Sequence, residues 1–116
     1  MASPFDICKK ITKEILPAVR AAIAQDLKKY DYTEEKIASA LGVDQVAISK
    51  YLNNRYSKQI KTLSAYIIRN KLDASIVDAI RAGKPSSTID KSIDQLCNKI
   101  FISRYSPKAE EKINNA

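Results

Sequence analysis

The side chains best suited to chemistry lie between Asp44 and Lys61 of this 116-residue chain. Gln45, Ser49, Lys50 and Asn53 are spaced so that a helix would carry them on one side, with Asp44 and Val46 next to them. Most of these groups form hydrogen bonds rather than act as nucleophiles or general bases. A Gln or Asn amide can bond an adenine edge in a bidentate way, and a Lys ammonium can reach guanine or phosphate. Arg55, Tyr56, Ser57, Lys58 and Lys61 follow at once. From Gln45 to Leu72 there is no acidic residue, while Lys50, Arg55, Lys58, Lys61, Arg69 and Lys71 contribute +6 of the chain's net +7. A solvated face usually mixes both signs, whereas a face that meets a polyanion excludes acids.

Other chemistries lack their residues. The chain has no His for acid–base work or metal binding, and its two Gly cannot build a loop that cradles phosphate. Asp73 and Asp78 read as solvated carboxylates on a helix, and Ser86-Ser87-Thr88 as a loop and cap. No enzyme activity, cofactor, metal or small-molecule ligand is therefore expected. Cys8 and Cys97 match no metal spacing and read as small apolar residues in a reducing compartment, with an inter-chain disulfide as the alternative. No window has the apolar length of a membrane span, and the opening MASPFDICKK lacks a signal layout, so residence in the cytoplasm is expected.

Two short helices must position the polar group. Thr33 is an N-cap for the first, with Glu34 and Glu35 at the positive end of its dipole. Ile37, Ala38 and Leu41 share one face, and Gly42 follows where the chain leaves the helix with positive φ. Val43 points inward. Asp44 caps a second helix, Gln45 to about Asn53, which buries Ile48, Tyr51 and Leu52.

In this order and spacing, Ile37, Ala38, Leu41, Gly42, Val43, Ile48 and Tyr51 resemble the helix-turn-helix of Cro/repressor-type transcription regulators. The resemblance implies that the second helix enters the major groove and reads bases. By position it assigns base contacts to Asp44, Gln45, Val46, Ser49, Lys50 and Asn53, and backbone contacts to Thr33, Arg55, Tyr56, Ser57, Lys58 and Lys61. A fainter likeness, carried by LPAVRAAIAQDL and ISKYLNNR, is to small archaeal regulators, including the front part of some thiamine-phosphate synthase fusions. The ligand-binding domain of those fusions has no counterpart here, so no thiamine effector role is expected.

The whole chain reads as one all-α domain of five to six helices around the central motif. Cys8, Ile11, Ile15, Val19, Ile23, Leu27 and Tyr30 form an apolar stripe that Pro17 interrupts, predicting a kinked helix over 4–30 in two segments, 4–16 and 17–30. Supporting helices are expected over 58–82, a C-terminal helix over 88–103 capped by Ser87 or Thr88, and a flexible tail over 104–116. The first and last helices are surplus to a minimal motif. Their stripes, Cys8, Ile11 and Ile15 with Ile89, Ile93, Leu96, Ile100 and Phe101, are expected to form a two-fold dimer interface, or else to fold back on the domain.

The expected function is sequence-specific binding of double-stranded DNA by a dimeric regulator that reads a pseudo-palindromic operator. The alternatives are an architectural, non-specific DNA binder and a helical protein-interaction module.

Overall fold

The structure is a computed structural model that describes residues 9–105, and among these every regular element is helical. A π-helical segment, Ile11–Ile15, runs straight into α1 (Leu16–Lys29). There follow α2 (Glu34–Leu41), α3 (Gln45–Leu52), α4 (Lys58–Arg69), α5 (Ala74–Arg81) and α6 (Ser86–Tyr105). This is the all-α class expected.

The hub is α1. Ala18, Val19, Ala21, Ala22, Ile23, Ala24 and Leu27 are all fully inaccessible, and α2, α3, α4, α5 and α6 each pack against this helix. Four alanines let neighbouring backbones approach from several sides. Burial therefore runs most of the way around α1 and is not confined to a single stripe.

Pro17 does not break the helix. Leu16 N–H donates to the carbonyl of Ile11, five residues back, and the chain continues helically through Pro17 in the first turn of α1. Proline lacks an amide hydrogen, and its ring crowds the carbonyl four residues earlier. The wider π-turn just before it accommodates that ring, so the expected separation into 4–16 and 17–30 is replaced by one continuous element.

The terminal stripes fold back on the chain's own domain. Ile15 is fully buried, Ile89, Ile93, Leu96 and Ile100 are at most 8% exposed, and Ile11 and Phe101 pack at the edge of the same core. The π-segment lies against α6 and α4, and α6 also covers parts of α1, α2 and α5. Burying such a side chain contributes roughly 1.5–3 kcal/mol relative to exposure. That gain is made within one protomer, so the expectation that these residues face a partner is corrected to an internal role. Cys8 lies outside the described residues. Buried Cys97 is a free thiol in this core, and burial first, then Asp94, pushes its pKa up to about 11. A thiol so protonated and enclosed is a poor nucleophile for disulfide exchange.

Two further expectations change. α6 begins at Ser86, where the Pro85 carbonyl accepts from the Thr88 and Ile89 amides at 3.0 and 3.2 Å, so neither Ser87 nor Thr88 stands at its cap. Arg104 and Tyr105 belong to this helix, and the rest of the expected tail lies outside the described residues. Asp73 is not solvated. It is 1% exposed at the start of α5, caps nothing, and neither carboxylate oxygen has a hydrogen-bond partner.

Candidate nucleic-acid interface

The turn between α2 and α3 is built by local chemistry. Thr33 Oγ1 accepts from the Lys36 amide at 3.1 Å and starts α2. Gly42, at φ 67° and ψ 31°, ends it, and the Val43 amide donates back to the Ala38 carbonyl at 3.1 Å. A Cβ at Gly42 would meet no atom within 4 Å, so glycine is required there for its backbone angle and not for space. Asp44 is extended, and its Oδ1 accepts from the Ala47 amide at 2.8 Å, starting α3. Ile37, Ala38 and Leu41 of α2 and Ile48 of α3 are buried, which fixes the rotation of both helices about their axes.

With Ile48 inward, α3 turns Gln45, Val46 and Lys50 to solvent and leaves Ser49 half-buried. Val46 is 64% exposed, more than Tyr30, Tyr66 or Ile102. At the far end of α3, the Asn53 amide donates to the Ser49 carbonyl at 2.8 Å and lies 3.3 Å from the Ser49 hydroxyl. Two of the residues expected at base edges are thus already engaged in helix capping: Asp44 at the N-terminus and Asn53 at the C-terminus. Gln45, Val46 and Lys50 project beyond these caps.

The segment after α3 is pinned from below. Asn54 takes a left-handed conformation at φ 57°, and the Arg55 amide donates to the Lys50 carbonyl at 2.9 Å. The Tyr56 hydroxyl accepts from Gln25 Nε2 at 2.9 Å and faces Asn54 Oδ1 at 3.4 Å. The Tyr56 ring meets Tyr51 edge-on, with centroids 6.0 Å apart, and Lys61 Nζ lies 6.0 Å from its centre. Tyr56 therefore ties the turn to α1. Ser57 is likewise a cap, its Oγ accepting from the Ile60 amide at 3.3 Å. Arg55, Lys58 and Lys61 stay exposed in the turn after α3 and the start of α4.

Residues 23–68 match a family model described as helix-turn-helix. The match makes this segment similar to helix-turn-helix domains and covers less than half of the chain. Searches of curated proteins and of solved structures returned no match to the chain. The matched module begins inside α1 at Ile23 and ends inside α4 at Ile68, so the π-segment, α5 and α6 lie outside it. Among the described residues, no helix is long and apolar enough to cross a membrane, and no group of three His, Cys, Asp or Glu could hold a metal ion.

Two supports of the module escaped the sequence reading. Gln25 lies 31 positions before Tyr56, and nothing local marks the pair. Arg20 approaches from α1 beneath Tyr51: burial raises the Tyr51 phenol above its ordinary value of 10, and the nearby guanidinium opposes that rise. Both contacts join residues far apart in the chain and emerge only when α1 and α3 are packed together.

Proposed function

We propose that this protein is a transcription regulator that binds double-stranded DNA in a sequence-specific manner, inserting α3 into the major groove. The observation that carries this reading is the division of α3 into a buried side, Ile48, and an outward side of Gln45, Val46 and Lys50 that stays exposed among the described residues. Gln45 offers a donor and an acceptor to a base edge, Lys50 offers a donor, and Val46 offers contact to a thymine methyl. Ser49 and Asn53 have a secondary place in this readout, and Asp44 acts chiefly through the cap. Arg55, Lys58 and Lys61 neutralise phosphates on the flank, with Thr33, Tyr56 and Ser57 holding the local backbone in register.

The protein acts as a dimer on a pseudo-palindromic site, because two such helices about 34 Å apart enter successive major grooves on one DNA face. With the terminal stripes buried, the contact between protomers falls on other surface. Selection of bound duplexes from a random pool tests the reading directly. A recovered palindrome with half-sites one helical turn apart is the expected result. Recovery of no preferred sequence would overturn sequence-specific readout, and a single unrepeated half-site would overturn the dimer.

A further inference from the structure

An exposed groove of about 430 Å³ opens beside the start of α4. Lys58 and Gln59 line it from α4, Lys10 from the N-terminal helical turn, and Arg104 from the end of α6. Lys10 and Arg104 both lie outside the matched module, at opposite ends of the described chain, and the fold brings them to Lys58. Among the described residues, three cations and one amide share the groove with one acid, Glu14, which pairs with Lys10 at 3.7 Å. That pair is a partly exposed contact four residues apart on a helix, a kind that contributes little to stability. Arg104 rests its guanidinium 5.7 Å from the centre of the Tyr66 ring, so its long side chain is steered while its donors stay at the surface.

We propose that Lys10 and Arg104, converging on Lys58 in this groove, take a backbone phosphate of the same DNA duplex and extend the DNA-binding surface beyond the helix-turn-helix. The proposal rests on the DNA-binding reading given above. Its physical basis is continuity of charge. Lys58 lines the groove and is exposed, as are Arg55 and Lys61, in the stretch that follows α3, so the cations after α3 and those of the groove share a member. The terminal helices then have two roles. Their inner sides close the core, and Lys10 and Arg104 on their outer sides add grip that the module alone lacks. Because phosphate is common to all sequences, this grip strengthens binding without changing preference.

The test is the dependence of duplex binding on salt, measured for the full chain and for Lys10→Gln/Arg104→Gln. At about 0.9 per phosphate neutralised, a slope of log affinity against log salt shallower by up to about 0.9 is expected, with the ratio between preferred and random DNA unchanged. Arg104→Lys should restore its share of the slope, since an ammonium also pairs with phosphate, and this separates charge from any structural role of the arginine. An unaltered slope in the double variant, with wild-type protein binding DNA normally, would overturn the groove alone. Loss of slope that Arg104→Lys fails to restore would also overturn it. Absence of any duplex binding by wild-type protein would instead strike the underlying reading.

Discussion

The outer side of α3 and the seam between α1 and α5 both hold polar side chains, in opposite surroundings. On α3 the polar groups sit in water, and those nearest the backbone close its ends: Asp44 accepts from Ala47, and Asn53 donates to Ser49. At the seam, Asp73 is shut away from solvent beside Asp26, with no hydrogen bond to either oxygen. Lys29, Tyr30, Lys71 and Asp78 stand around the adjoining groove without reaching those oxygens. The first arrangement costs the fold little and leaves donors and acceptors ready for a partner. The second costs stability and presents nothing to a ligand. Polarity alone does not mark a functional surface; polar groups that are both satisfied internally and open to solvent do.

The comparison can be sharpened first on α3 itself. Ile48→Ala removes the fully buried side chain that orients the helix, and a loss of about 2–5 kcal/mol of stability is expected in chemical denaturation. Gln45→Ala on the opposite side should leave stability within about 0.5 kcal/mol. Equal losses from the two changes would contradict the inward and outward assignment.

A somewhat smaller effect of opposite sign is expected at the seam. Burial, and next the neighbouring Asp26 carboxyl, push Asp73 up to about 8 from an ordinary value of 3.8. Between those two pH values the folded state holds a proton that the unfolded state has released. Stability from this group is therefore full below about pH 3.8, declines as pH rises, and levels off above about pH 8. Asp73→Asn removes this titration. The substituted side chain carries no charge at any pH, so the variant should be more stable than the parent near pH 8, by at least about 1 kcal/mol, and the advantage should shrink towards pH 4. Denaturation at several pH values measures it. An advantage independent of pH would contradict the buried, proton-holding state.

The same contrast explains what was legible in the sequence. Thr33, Gly42 and Asp44 act on their own backbone within three or four residues, so residue type and spacing were enough to place α2, the turn and α3. The outward residues of α3 followed from helical period once Ile48 was placed inside. The destination of the terminal stripes did not follow. An apolar row states that something covers it, and does not say whether the cover is a second copy or the chain's own α4 and α6. Pro17 announced a disturbance correctly, but the remedy, a π-turn five residues long, depends on how the flanking turns are packed. The burial of Asp73 and the Gln25–Tyr56 bond both need α1 in place beside distant residues, and no local pattern carries that information.

The central claim is that α3 reads bases while the cations beside it hold the strands. The most direct measurement is the affinity of wild-type and Gln45→Ala protein for the selected duplex and for random duplex, at one salt concentration. The account predicts a loss of about 1–3 kcal/mol on the selected duplex and little change on random DNA. An equal loss on both, or none on either, would contradict it.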